Sequence, residues 1–413
     1  MPIATKYLTA QQAAARLGVT TETLYAYVSR GLIKSERAPG KTRSRQYLVE
    51  DVERLKERQE LRSDPQASTR RSLNWGGPLL ESAITYIDSG SLYYRGKNVI
   101  NLAQHWSVEQ VAAFLWTGDP EREANLFRQD ATDISGKVGK LLKILSKESD
   151  QPPIERCQIS LPWIGACDPA AYDLRPASAA MTGARILKLL ASVISGSQQP
   201  HSIDRILQSA LAPRRPAARR PIQMALILCA DHELNVSAFT ARCVASASST
   251  LYDVVAAGFA AMRGRKHGGM TLRVEALFDE AILARSAAAT IESRLRRGEP
   301  VPGFGHPLYP EGDPRGRLLL SLAYGTSDKG LAELSRELCR AAFEMTGEHP
   351  TIDFALVALS RALSLPPRSA ITLFALGRTI GWIAHAIEQY ESGQLIRPRA
   401  RYIGPPPEAE SDP

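Results

Sequence analysis

The sequence is poor in the features that would place it outside the ordinary globular class. Its 413 residues include only five cysteines, at positions 157, 167, 229, 243 and 339. The number is odd and no two form a Cys-x-x-Cys pair, so neither a disulfide framework nor a zinc site is expected. No uninterrupted apolar run reaches the roughly 18 residues of a membrane span. The opening stretch MPIATKYLTAQQ lacks the apolar segment of a secretory signal. There is no internal repeat, and strands do not alternate with helices, which argues against a Rossmann or barrel architecture. These absences leave a cytoplasmic, metal-free protein with no tightly bound cofactor as the expectation, with chain enough for two or three domains.

Charge is present but unevenly spread. The whole chain carries 51 basic and 43 acidic side chains, a surplus of eight. Residues 1–72 hold 14 basic against 8 acidic residues, and so account for six of that surplus. An acidic partner is therefore expected for the N-terminal segment alone.

Residues 1–62 read as a small unit. Thr9 is placed to cap a helix over 10–17 that Gly18 ends. Thr20 or Thr21 is placed to cap a second helix running to about Arg30, with Leu24, Tyr25 and Val28 at helical spacing and Gly31 as the stop. A polar, basic stretch over 35–46 contains the turn residues Pro39 and Gly40. A charged third helix follows over 50–62. Helix, turn, helix and basic hairpin together describe a winged helix-turn-helix. Residues 63–72 read as a linker and 405–413 as a disordered tail.

The remaining unit, 73–404, is expected to be all-α apart from one hairpin. Strands over 83–87 and 91–94 flank the turn Asp88-Ser89-Gly90. Apolar residues recur at helical intervals over 179–194, 238–261, 273–296, 316–345, 354–362 and 368–392.

Two histidines stand in glycine-rich loops, where backbone can approach a ligand closely. His267 lies in Arg-Lys-His-Gly-Gly and His306 in Pro-Gly-Phe-Gly-His-Pro. A lone histidine is most often structural; two in loops between helices shift that balance. Asp353 opens an apolar helix, and on residue chemistry alone reads as an N-cap. Arg315, Arg378 and Arg397 sit in apolar or proline-flanked settings that suit bidentate carboxylate recognition.

Two resemblances attach to these motifs. The stretch YLTAQQAAARLGVTTETLYAYVSRGLI resembles MerR- or excisionase-type DNA-binding domains. It implies that Thr21, Glu22, Tyr25 and Arg30 face DNA and that Lys34, Arg37, Lys41, Arg43 and Arg45 meet phosphates. Residues 30–45 include six basic side chains and one acidic one, Glu36, which suits salt-dependent phosphate binding. One such module reads few base pairs, so a dimer is implied. The second resemblance covers nearly all of 74–404. It rests on ESAITYIDSGSLYYRGKNVINLAQHWSVEQVAAFLWTGD, on ADHELNVSAFTARCVASASSTLYDVVAAGFAAMRGRKHGG, on VPGFGHPLYPEGDPR, and on FALGRTIGWIAHAIEQ with LIRPRARYIG. In order and spacing these are similar to citrate synthases.

That second resemblance implies a large and a small helical domain, the small one near 264–365, with the site in the cleft between them, and a homodimer. It implies a tricarboxylic acid cycle reaction, condensing acetyl-CoA with oxaloacetate and hydrolysing the citryl thioester. Asp353 would be the base, His267 the donor to the enolate oxygen, and His306, supported by His232, the group polarising the ketone. Arg315 and Arg378 would hold the carboxylates of oxaloacetate, with Arg397 supplied by the partner chain. The loop Val301, Pro302, Gly303, Phe304 and Gly305 would lie against the adenine of CoA. Arg263, Arg265 and Lys266 are candidates for its phosphates by position.

The sequence departs from the family pattern in places. Met270-Thr271-Leu272 replaces the usual Ala-Asn-Glu, Thr351-Ile352-Asp353 is followed by the apolar Phe354-Ala355-Leu356-Val357, and Pro307 follows His306. Residues 125–220 match weakly. An apolar shell is expected to raise the pKa of Asp353. Alternatives at this stage are a metabolite-sensing DNA-binding regulator, a citryl-CoA lyase and a 2-methylcitrate synthase acting on propionyl-CoA.

Overall fold

A computed structural model describes residues 7–37, 45–49, 51–52, 55–56, 80–88, 90–128, 134–147, 151–326, 328–400 and 402–405. Contacts divide the chain into two units, 1–81 and 82–413.

In the first unit, strand β1 (Tyr7–Thr9) leads into α1 (Ala10–Leu17) and α2 (Thr21–Ser29), followed by β2 (Ser35–Arg37) and β3 (Arg45–Leu48). Thr9 and Gln12 form a reciprocal cap, each side chain accepting the other's backbone N–H, at 3.3 and 3.0 Å. Gly18 ends α1 at φ 65°. Thr20, rather than Thr21, caps α2 through the N–H of Thr23. The three strands form an antiparallel sheet in the order β1-β3-β2. The β2–β3 pair is the expected wing; β1, which completes the sheet, was not expected from the sequence. Leu8, Ala13, Leu17, Leu24, Ile33, Tyr47, Val52 and Leu55 make a core of their own. Most of the expected third helix lies outside the described residues, with 51–52 and 55–56 helical.

The second unit opens with the expected hairpin, β4 (Thr85–Asp88) against β5 (Ser91–Tyr94), and adds β6 (Lys97–Asn98). Helices follow: α3 (Val99–His105), α4 (Val108–Thr117), α5 (Glu123–Leu126), α6 (Ile134–Leu145), α7 (Pro153–Gly165), α8 (Pro176–Ser195), α9 (Ile203–Leu211), α10 (Arg219–Leu228), α11 (Val236–Ser246) and α12 (Leu251–Met262). Then come α13 (Met270–Ala284), α14 (Ala287–Arg296), α15 (Pro314–Tyr324), α16 (Lys329–Thr346), α17 (Ile352–Ala362) and α18 (Ser369–Ser392).

Three expected long helices are each two helices. The stretch 238–261 breaks at Ser248, whose φ is 59°, and Thr250 caps the next helix. The stretch 273–296 breaks at Arg285, φ 51°, with Ser286 capping α14. The stretch 316–345 breaks before Asp328, which caps α16. In each case a polar cap outweighs continuous apolar spacing. Two helices, α8 and α18, are long and apolar enough to cross a membrane by length and hydropathy. Most of α8 and all of the apolar part of α18 are buried, as core helices of this unit. Helix α18 is the hub: it packs on α4, α8, α10, α11, α12 and α17.

Candidate active site

Six of the residues singled out from the sequence converge: His232, His267, His306, Arg315, Asp353 and Arg378. His232 lies within the electrostatic reach of Arg315, Arg378, His306 and His267. Asp353 feels both arginines.

Local backbone pairing sets the geometry of one half. The loop before His306 forms a short antiparallel bridge with the residues before α17, Phe304 opposite Pro350. The Gly305 N–H donates to His349 O at 2.9 Å, and the Thr351 N–H and hydroxyl donate to Gly303 O at 2.9 and 3.1 Å. His306 and Asp353 are thereby held in one register. Gly303 sits at φ +84°, and a Cβ there would fall 2.7 Å from Val274 Cγ2, so only glycine fits. Val301, Pro302, Gly303 and Phe304 are buried and Gly305 is exposed. The Phe304 ring turns inward onto Phe354 at 4.8 Å, so this loop offers a ligand its backbone rather than its side chains.

Asp353 is not a cap. Thr351 occupies the N-cap position, and Asp353 is the second residue of α17. Its Oδ1 is sealed from solvent without a hydrogen-bond partner. Burial pushes its pKa up to about 6. The neighbouring Phe354 is fully buried and stacks on Phe278 at 5.2 Å, so one wall beside the carboxyl is aromatic.

The histidines are uncharged at neutral pH. Burial, reinforced by Arg378, depresses the pKa of His267 to about 3. Burial and Arg315 lower that of His306, and His232 falls well below the ordinary value through burial, Arg315 and Arg378. Their tautomers follow from the hydrogen bonds. His306 Nδ1 accepts the Leu308 N–H at 3.2 Å, which leaves the proton on Nε2. His267 Nε2 lies 2.7 Å from Ser237 Oγ. That hydroxyl receives the Trp382 indole N–H at 3.1 Å, and its own proton could go to His267 or to Asn235 Oδ1 at 2.8 Å. Asn235 Oδ1 already accepts the backbone N–H groups of Ser237 and Ala238, which fill its two lone pairs. The Ser237 proton is therefore directed to His267 Nε2, and Nδ1–H is the ring's free donor.

Arg315 differs from the simple bidentate expectation. Arg315 uses Nε and Nη2 on Asp313, at 3.0 and 2.7 Å, and only its buried Nη1 is without a partner. It offers a ligand one firm donor, not a free fork. Arg378 gives Nε to Cys229 O at 2.8 Å. His232 Nε2 lies 3.0 Å from the Tyr309 hydroxyl, and its ring meets that of His306 edge-on at 5.3 Å.

Against this geometry, residues 73–399 match the family model "Citrate synthase, C-terminal domain". The chain belongs to the citrate synthase family. Citrate synthase of Mycolicibacterium smegmatis is 30% identical over 341 residues, 77% of this chain and 90% of that protein. The 2-methylcitrate synthase of Mycobacterium tuberculosis is 28% identical over 337 residues, 76% of this chain and 85% of that protein. The crystal structure of citrate synthase from Thermotoga maritima superposes with a TM-score of 0.65 at 25% identity, covering 82% of this chain and 96% of that one. Residues 8–65 match the MerR helix-turn-helix family of regulatory proteins.

Other sequence-chosen residues lie apart from the cluster. Arg397 is exposed in the irregular segment after α18. Arg263 is paired with Glu155 at 3.2 Å and donates to Gln158, while Arg265 and Lys266 are exposed beside the His267 loop. In the MerR-like unit, Tyr25, Arg30, Lys34 and Arg45 are exposed and Thr21 is half-buried. Arg45 donates to Ser35 across the wing at 2.7 Å. Arg37 ends β2, and Lys41 and Arg43 lie outside the described residues. Among the described residues no cluster of side chains suited to a metal is found.

Sequence reasoning missed Ser237, Tyr309, Asp313 and Trp382. All four lie inside family motifs already quoted, but only their contacts separate them from neighbouring core residues.

Proposed function

We propose that this member of the citrate synthase family is an acyltransferase that condenses acetyl-CoA with oxaloacetate to citrate and free CoA. The observation that carries the reading is the Asp353 carboxyl, unpartnered at Oδ1 and raised to about 6, in a cluster with neutral histidine donors. A base with that pKa is ionised at neutral pH and close to the strength that proton abstraction favours. Asp353 takes a proton from the thioester methyl, while His267 Nδ1–H donates to the oxygen on which enolate charge grows. The new carbon–carbon bond forms at the ketone carbon of oxaloacetate, whose oxygen accepts from His306 Nε2–H. Arg315 Nη1 and Arg378 hold carboxylates, with His232 beside them. Water then hydrolyses the citryl thioester and releases the thiol.

The remaining assignments belong to the same reading: a cytoplasmic homodimer in which Arg397 reaches the partner's site, CoA adenine along 301–305, and phosphates at Arg263, Arg265 and Lys266. The relatives include both citrate and 2-methylcitrate synthases, so propionyl-CoA is the acyl donor to compare.

The test is thiol release from acetyl-CoA with and without oxaloacetate. Wild type should release CoA only with the oxo acid. Asp353→Ala and His306→Ala should each be slower by about 10²–10⁴. A wild type that releases none overturns the reading, and an undiminished Asp353→Ala overturns the base.

A second activity is favoured by the N-terminal match and its exposed Tyr25, Arg30, Lys34 and Arg45. The helix-turn-helix binds DNA through α2 and the wing. Gel-shift assays at two salt concentrations, with and without residues 1–62, test it; indifference to that deletion would sink it.

A further inference from the structure

Helix α18 is apolar and buried along nearly all its length, yet one face carries Arg378, Trp382, His385 and Gln389 at helical spacing. All four are buried, His385 and Trp382 completely. Arg378 holds Cys229 O, and Trp382 holds Ser237 and through it His267. His385 has no part in the mechanism above. Its Nε2 lies 3.2 Å from Asp231 Oδ1, and its Nδ1 3.9 Å from Glu388 Oε2.

Asp231 immediately precedes His232 and is the fixed point of that corner. Its Oδ2 accepts from the Thr85 hydroxyl at 2.6 Å, and its N–H donates to the Tyr94 hydroxyl at 2.9 Å. The Gly381 N–H donates to Ala230 O at 2.9 Å, and a Cβ on Gly381 would lie 2.4 Å from that oxygen, so α18 is pressed directly onto this segment. Burial favours a neutral Asp231, but His385, Arg378 and Thr85 outweigh it and hold its pKa below the usual carboxylate range.

Among the described residues nine buried side-chain polar atoms lack an aligned hydrogen-bond partner. Five belong to this centre: Arg315 Nη1, Asp353 Oδ1, Asp231 Oδ1 and both nitrogens of His385. Such atoms are costly, and a leucine at 385 would leave the buried Asp231 carboxylate without its histidine neighbour at 3.2 Å.

We propose that His385 is a positioning residue for the oxo-acid half of the site, acting through Asp231 to fix the direction of His232. His232 in turn sets the Tyr309 hydroxyl and the ring of His306. The Trp382–Ser237 contact does the same for His267 on the thioester half, so one helix registers both halves separately. This proposal rests on the acyltransferase reading for its kinetic test.

The experiment compares wild type, His385→Leu and His385→Gln in the full chain. Gln places an amide near the position of Nε2. His385→Leu is expected to raise KM for oxaloacetate about tenfold or more and to leave KM for acetyl-CoA unchanged, a small displacement being enough for such a loss. His385→Gln is expected to recover most of it. Equal rises in both KM values, or a Gln variant as poor as Leu, overturn the proposal and make His385 a packing residue. Hydrogen exchange keeps the test independent of turnover. If wild type fails to release thiol, the acyltransferase reading falls. The positioning claim then stands or falls on exchange at the Asp231 amide. Acceleration confined to 230–234 in His385→Leu and reversed in His385→Gln supports it; exchange unchanged, or raised along all of α18, refutes it.

Discussion

Asp353 joins two demands that oppose one another. A carboxyl with a folded pKa near 6, above the unfolded value of about 3.9, favours folding most when protonated. That contribution is complete below about pH 4 and is lost as pH rises through 6. At pH 8 the ionised carboxylate thus costs on the order of 2–3 kcal/mol. Asp353→Asn should therefore be nearly inactive yet melt higher than wild type at pH 8, with the two curves converging at pH 4; equal melting temperatures at both pH values would contradict the buried charge. Wild-type kcat/KM should rise with pH along an acidic limb centred near 6, set by Asp353. His267, with a pKa near 3, contributes no limb above pH 4. Ser237→Ala removes the proton that fixes the His267 tautomer and should lower kcat by about 10²-fold with little change in oxaloacetate KM. A fall in binding instead of kcat would contradict that assignment.

At the scale of elements, the site depends on how loops are pinned to helix ends. Gly303→Ala should destabilise the protein by about 1–3 kcal/mol, since the new methyl meets Val274 and strains a positive φ. It should also lower activity by shifting His306 against Asp353, measurable as a kcat loss in protein that is still folded. The motif residues were legible because each motif is local: His267 and His306 announce themselves by adjacent glycines, and Thr9 and Gly18 by cap chemistry. The breaks at Ser248 and Arg285 were not legible, because one residue in the left-handed region leaves the apolar spacing intact. Most of the helices from α3 to α10 were not marked by apolar spacing; α3 and α4 lie in a well-matched motif, whereas 125–220 match the family weakly. On residue chemistry alone Asp353 was not separable from a cap, and only the family resemblance gave it another role. Nothing in Thr351-Ile352-Asp353 tells which of the two polar residues occupies the cap. The apolar residues after it did foretell the raised pKa. Arg315 looked like a free fork because its pairing with Asp313, two residues away, is a matter of side-chain direction that spacing does not reveal.

At the scale of the whole molecule, each unit has its own core, one around Leu24 and Tyr47 and the other around α18. Deleting residues 1–62 should accordingly abolish DNA binding while thiol release is retained. With the full chain, affinity for DNA should fall by on the order of 10³-fold between about 50 and 200 mM salt if six phosphates are neutralised. A flat salt response would exclude the basic wing as the contact. The packing of α18 also carries a consequence for biosynthesis. Of the helices it packs on, only α17 adjoins it in the chain; α4, α8, α10, α11 and α12 lie well upstream, and α18 follows all of them. On the ribosome, α4, α8 and α10 to α12 emerge with the groove for α18 still empty and its apolar lining open to water. Folding of this unit must therefore wait for its last helix, and a nascent chain halted before residue 369 is the species that chaperones would be expected to hold.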